Sequence, residues 1–364
     1  MGFIKPGNCS TSYRIRIKTL FIINRILMPN HSFDVFPFQA LDGFNCNLWR
    51  LKTNFFARKG PVLLVHGAGV RSNIFNPPND KNLLDVLSIA GYDVWLENWR
   101  GSMECKKNEW NLDQVAQNDH PAAVQEVCRQ TGASEIKAII HCQGSTSFMI
   151  SAVTGLIPQV KTIVSNAVSL HPVVRPFSEF KLNYIVPLVK PITKYLNPQW
   201  GDDAPDLKAK AFRLLVKLTH HEDDTNVGKF VSFTYGTGFP ALWELENLSP
   251  ETKEWIRNEF GNVPLSFFDH IKKSVKAGAL VSADGQINYS SFEPKTTARI
   301  VFLTGKQNKC FSSKSQEDSY TYFNAARPGY HRLYQFDQYS HLDIFLGKNA
   351  VADIFPTIVK ELNA

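Results

Sequence analysis

Lys137 to Ile150 reads KAIIHCQGSTSFMI, and the fold turns on how that stretch is read. Ala138-Ile139-Ile140 is an apolar run of β type, His141-Cys142-Gln143-Gly144 a sharp turn, and Ser145-Thr146-Ser147 a small-residue helix start. Strand, tight turn and helix form the setting of a nucleophile elbow, usually written G-x-S-x-G. Gly144 matches the last small residue, so counting back two places puts the nucleophile at Cys142. The elbow strains its central residue and asks for small residues two positions to either side. Ile140 departs from that on the leading side. The competing reading is a buried core cysteine at a strand end, a common place for a free thiol.

Outward from the elbow, buried-type strands alternate with helices. Pro61–Val65 is a continuous apolar strand that ends in His66-Gly67-Ala68-Gly69. The apolar spacing predicts a helix over 78–90, stopped by Gly91, then a strand over 92–96 and a helix over 112–131, stopped by Gly132. A further strand is expected over 160–165. Upstream, 33–40 and 45–51 alternate apolar and polar residues around Asp42-Gly43, a hairpin signal. Such an alternation of strands and helices means an α/β fold, a mostly parallel sheet with helices on both faces. The pattern stops near His171 and resumes with a strand at 298–304, a helix at 313–326, a strand at 332–336 and a helix at 346–362. The expected organisation is an N-terminal extension (1–32), a core (33–171 and 294–364), and a helical cap inserted at 172–293.

Composition excludes several classes. The 364 residues are 43% hydrophobic and 20% charged, ordinary globular values with ample material for a core. The net charge of +7 is scattered, so no nucleic-acid partner is expected. Six cysteines without a C-x-x-C pair suit reduced thiols and a cytoplasmic protein. No stretch approaches the apolar length of a bilayer span. Thr19–Met28 follows Arg14, Arg16 and Lys18 like the start of a signal peptide, but Arg25 interrupts it. It is expected to pack as an extension, the alternative being a weak membrane-surface contact.

A nucleophile needs a base, a group to orient the base, and oxyanion donors. In this kind of fold they follow in the order nucleophile, acid, histidine, on loops beyond successive strands. His341 follows the last strand, in the place of the base. The loop after 298–304 holds Asn308 where an aspartate is expected. A thiol gives up its proton far more readily than a hydroxyl, so a neutral amide can suffice to fix the ring; Cys-His-Asn is a known set. The oxyanion donors are expected to be the backbone N–H groups of Gln143 and Ala68, with His66, Gly67 and Gly144 shaping the turns. No metal or cofactor is expected. His220-His221-Glu222-Asp223-Asp224 lacks ligand spacing and reads as a solvated turn, and Gly236-Thr237-Gly238 is too short for a dinucleotide fingerprint. Cys310 receives no role. Asp318, Asp337 and Asp343 are the reserve candidates for the orienting group.

Several segments carry a resemblance. Gly91–Gly101 (GYDVWLENWRG) resembles the GYDVWLGNSRGN segment of acid lipases of the gastric and lysosomal type. His66-Gly67, His141-Cys142-Gln143-Gly144, Asp119-His120-Pro121-Ala122 and His341-Leu342-Asp343 resemble that family's H-G, G-H-S-Q-G, D-L-P-A and histidine motifs. The H-C-x-G-S elbow, the loop to Asn308 and Asn247-Leu248-Ser249-Pro250 resemble, more closely, the hydrolase modules fused to GMC (cholesterol-oxidase-like) oxidoreductases. The resemblance implies an α/β-hydrolase fold with a cap, and no flavin, since no oxidoreductase portion is present. The expectation is therefore a cysteine-nucleophile hydrolase. Its substrate would be a lipid-like ester, thioester or lactone with an apolar body, cleaved through a thioester acyl-enzyme. Phe230, Phe233, Tyr235, Phe239, Trp243, Phe267 and Phe268 are candidate pocket lining. The alternatives are an acyltransferase or cyclase on the same residues, and a non-catalytic binding protein.

Overall fold

Gly43, at φ 84°, turns the chain between β1 (Phe33–Gln39) and β2 (Asn45–Leu51), which pair antiparallel with Phe33 opposite Leu51. The structure, a computed structural model, describes residues 31–221 and 225–364. The expected N-terminal extension lies almost wholly outside the described residues, and so do Glu222, Asp223 and Asp224.

Six further strands complete the main sheet: β3 (Pro61–Val65), β4 (Asp93–Asn98), β5 (Ile136–His141), β6 (Val160–Asn166), β7 (Arg299–Gly305) and β8 (Arg332–Phe336). Their order is β1-β2-β4-β3-β5-β6-β7-β8, parallel from β4 onward and antiparallel across β1, β2 and β4. Because side chains alternate across a strand, Leu63, Val65, Ala138 and Ile140 enter one core and Val62, Leu64 and Ile139 the other. Between strands run α1 (Leu83–Ile89), α2 (His120–Thr131) and α3 (Cys142–Val153).

Several helix bounds differ from the spacing-based expectation. α1 starts at Leu83, not near Pro78, because Asn82 caps it by accepting from the N–H groups of Leu84 and Asp85. The helix expected over 112–131 is widened by a π turn at Val115–Asp119 just before Pro121, a residue with no N–H for the ladder. The closing helix is three pieces, Asp343–Leu346, Ala350–Asp353 and Phe355–Asn363, with Gly347 extended after the first.

Residues 172–293 supply a helical run over 176–189, then α4 (Leu207–Thr219), α5 (Asn226–Tyr235), α6 (Pro250–Ile256) and α7 (Leu265–Ala277). They also hold a short antiparallel pair, Tyr195–Leu196 with Val263–Pro264, that the sequence pattern did not suggest. The 176–189 run exposes Phe177, Phe180, Tyr184 and Leu188 on one side and buries Leu182 and Val189 on the other. After it the sheet resumes, with α8 (Lys314–Ala326) between β7 and β8, and α9 (Phe355–Asn363) closing the described chain. Among the described residues no helix is long and apolar enough to cross a membrane.

Candidate active site

β5 runs into α3 without a loop, and the junction residue is Cys142, held at φ 55°. A left-handed backbone at a non-glycine residue is strained, as an elbow requires. The close approaches fall on the two glycines: a Cβ on Gly67 would stand 2.9 Å from that of Cys142, and one on Gly144 would stand 2.2 Å from the His66 carbonyl oxygen. Ile140 is tolerated because its side chain enters the core on the opposite sheet face from Cys142. Burial pushes the Cys142 thiol up to about 12, while the backbone N–H groups of Gln143 and Ala68, both turned to its sulfur, pull the other way. The Ala68 peptide is held in turn by the Tyr235 hydroxyl, which donates to its carbonyl at 3.0 Å. Behind it, His66 donates from Nδ1 to the Gly67 carbonyl at 2.6 Å, and the Trp99 indole donates to the His66 carbonyl at 3.0 Å.

The loops after β7 and β8 bring Asn308 and His341 together. The Asn308 carbonyl oxygen accepts from the backbone N–H groups of Cys310 at 2.9 Å and Phe311 at 3.0 Å. Backbone N–H groups only donate, so this fixes which end of the amide is oxygen. The amide nitrogen is therefore the end that meets His341 Nδ1, at 3.1 Å. His341 is fully enclosed, and burial pushes its imidazole down to about 3. The reserve candidates lie elsewhere. Asp318 pairs with Lys314, Asp337 with Lys306, and Asp343 accepts from Ser340 N–H at 2.7 Å and from the Asn247 amide at 2.6 Å. That last contact explains the Asn247-Leu248-Ser249-Pro250 segment, which docks the histidine loop and then caps α6 through Ser249.

A second histidine shares the site. The β5–β6 register sets Asn166 opposite His141, and the Asn166 amide nitrogen donates both to His141 Nδ1 at 3.0 Å and to the His341 carbonyl at 3.1 Å. A ring nitrogen of each histidine and the Cys142 sulfur lie within 4.8 Å of one another, a spacing a metal could use. The amides oppose that use. To offer Nε2 to a metal, each ring would have to carry its proton on Nδ1, facing an amide N–H that needs an acceptor.

Cys142 opens into a cavity of about 780 Å³, its mouth included. Val174, Leu182, Val186, Leu265 and Ile271 make most of the wall apolar. Of the aromatics expected there, Phe233, Tyr235, Phe267 and Phe268 line it. The other three do not: Phe230 packs edge-on against Trp200, Trp243 lies tilted against Phe260, and Phe239 is exposed. Cys310, left without a role, also lines the cavity. So does Lys181, whose amine donates to the carbonyls of Phe233 at 2.5 Å and Gly236 at 2.7 Å, at the end of α5. Burial pushes that amine down to about 8. His220 departs from the solvated-turn reading, being buried with its ring edge-on to Phe233 and Phe239.

Beneath α3 lies a trio that is absent from the sequence-based expectations. Glu97 accepts from His120 Nδ1 at 2.9 Å, and His120 Nε2 meets the Ser147 hydroxyl at 2.7 Å. The pattern is that of a serine triad, but all three side chains are fully buried and none reaches the cavity. Ser147 Oγ lies 3.0 Å from the carbonyl of Gln143, so the trio holds α3 by its first turn. A signal was present in the sequence: Glu97 and His120 stand where the lipase-type segments have glycine and leucine. Asp119 beside them is met by the buried guanidinium of Arg100, at 2.6 Å.

No protein-family model matches the chain. Sterol esterase 2 of Saccharomyces cerevisiae is 29% identical over 38% of this chain, which spans only 30% of that relative. Human lipase member K is 27% identical across 98% of this chain and 93% of its own length. Among solved structures, a thermostable carboxyl esterase from Bacillus coagulans superposes with a TM-score of 0.59 at 14% identity, over 91% of this chain and 98% of the esterase.

Proposed function

We propose that this chain, an α/β-hydrolase by fold, cleaves acyl bonds through Cys142, forming a thioester acyl-enzyme with lipid-like substrates that carry an apolar body. One observation carries the reading. Cys142 stands strained at an elbow, with two backbone N–H groups turned to its sulfur, at the end of an apolar cavity. Those N–H groups are of the kind that stabilise the oxyanion of a tetrahedral intermediate. His341 and Asn308 complete the set in this reading. The lipase and esterase relatives support ester hydrolysis as the reaction class. The likeness to oxidoreductase-fused modules bears on kinship and adds no cofactor. A second reading, acyl transfer to an acceptor other than water, is favoured by the amide nitrogen of Asn308 facing His341.

The test is intact-protein mass spectrometry after incubation with a panel of acyl esters and thioesters. The expected result is one acyl mass added to the wild type, mapped to Cys142, and none added to Cys142→Ala. Turnover that survives in Cys142→Ala rejects the proposal and leaves the pocket as a binding site.

A further inference from the structure

In an ordinary cysteine–histidine pair the imidazole accepts the thiol proton and later delivers it to the leaving group. His341 has no lone pair free for that exchange. Its Nδ1 lone pair faces the Asn308 amide N–H, whose orientation two backbone donors fix. A neutral imidazole carries one N–H, so the hydrogen of His341 sits on Nε2. Taking up a second proton would set an N–H on Nδ1 against the N–H of the amide. His141 repeats the arrangement with Asn166, so the neighbouring ring offers no base either. The low affinity of buried His341 for a proton and the high affinity of the Cys142 thiol run the same way.

From this geometry we infer that the acyl donor is a thioester rather than an oxygen ester, and that the acyl-enzyme outlives its formation because water is a poor acceptor there. The inference rests on Cys142 being the nucleophile. With a thioester donor the step closes without a base. The bond from Cys142 Sγ to the acyl carbon forms, and the bond from that carbon to the donor's sulfur breaks. The attacking sulfur is the thiolate, its proton given up to solvent, and the donor's sulfur departs as a thiolate that takes a proton back, so the exchange is neutral overall and His341 begins and ends neutral. An oxygen ester would have to expel an alkoxide, far more basic than a thiolate, and the imidazolium that would protonate it as it leaves is one this site disfavours. Water attacking the acyl-enzyme would likewise need a base to take its proton.

The experiment pairs octanoyl-N-acetylcysteamine with its oxygen analogue, the octanoyl ester of N-acetylethanolamine, and follows the Cys142 adduct by intact mass. Wild type is expected to acylate from the thioester and to keep the adduct over many times its formation half-life. Asn308→Asp, which supplies an acceptor for Nδ1–H, is expected to narrow the thioester preference and speed adduct loss by at least about 10-fold, the lower reach of acid–base catalysis being roughly 100-fold. An unchanged preference in Asn308→Asp, or wild-type acylation by the oxygen ester at the thioester's rate, overturns the inference. Nitrogen-15 NMR of the wild-type histidines keeps it testable if the variant does not fold. A neutral His341 with its hydrogen on Nε2 at pH 7 supports it; an imidazolium or an Nδ1–H form overturns it. Adducts or turnover in Cys142→Ala would instead reject the underlying assignment, whatever the tautomer.

Discussion

Alkylation of Cys142 by iodoacetamide separates a neutral thiol from a thiolate–imidazolium pair. The sequence alone leads to an activated thiol, since a cysteine beside a histidine at a helix start is the usual recipe for one. The structure places the Cys142 thiol at about 12 against an ordinary 9.0. Three pH units remove roughly 1,000-fold of the thiolate at neutral pH. A more basic thiolate is also the better nucleophile; with a Brønsted slope of 0.4–0.5 this returns about 16- to 32-fold. The net expectation is alkylation roughly 30- to 60-fold slower than for an unperturbed, accessible thiol, before any loss from restricted access. The rate should climb with pH through 10 without a plateau. Peptide mapping after timed labelling reads each cysteine separately, with half-exposed Cys105 as the internal reference. A plateau below pH 8, or Cys142 labelling ahead of Cys105, would refute the neutral pair and the base-free mechanism with it.

Cys142→Ser should lose nearly all acylation, and adding Asn308→Asp should recover part of it, because a hydroxyl needs the carboxylate-backed histidine; no recovery in kinetic assays removes Asn308 from the site. His120→Leu leaves Glu97 buried and unpaired and is expected to cost about 3–5 kcal/mol in urea unfolding, whereas the double variant with Glu97→Gly should cost less; a double variant less stable than the single would show that the trio is not an energetic unit. Lys181 has a folded value of about 8 against 10.5, so the unfolded chain binds the proton more readily between those pH values. Stability should therefore rise between pH 8 and 10.5, by at most about 3 kcal/mol, and Lys181→Met should abolish that rise; an unchanged pH profile in the variant would place the amine in solvent.

The framework of the fold was legible because buried parallel strands write themselves as apolar runs. Pro61–Val65 and Val160–Asn166 could be read almost to the residue. Helix bounds were read less well where a cap or a proline outranks spacing, as at Asn82 and Pro121. At the site, chain order alone pointed to Cys142, His341 and Asn308, and the structure brings the three together. Which end of the Asn308 amide meets the ring could not be read. That is decided by the backbone N–H groups of Cys310 and Phe311, two and three residues on, which no residue type announces. Asn166 and Lys181 were invisible for a related reason: an asparagine at a strand end and a lone lysine in a helix are commonplace. Only the register opposite His141 and the carbonyls at the end of α5 give them their places.

The departures from the serine pattern hang together once charge is counted. A carboxylate at position 308 would favour an imidazolium at 341, and the pair would carry charge into a cavity walled largely by aliphatic and aromatic side chains. Asn308 and Asn166 instead hold two neutral rings around a neutral thiol, so these three groups bury no charge. A serine in that setting would be inert, because its hydroxyl exchanges no acyl group without a base. In the proposed mechanism a thiol keeps one reaction open, exchange with another thiol's acyl group, in which one thiolate displaces another. In that mechanism cysteine and asparagine act as one unit, and each would be a defect without the other. The same count explains Glu97 and His120 under α3: an acid in that position survives burial only with its histidine, and the pair sits where it can steady Gln143, the residue whose N–H faces the Cys142 sulfur.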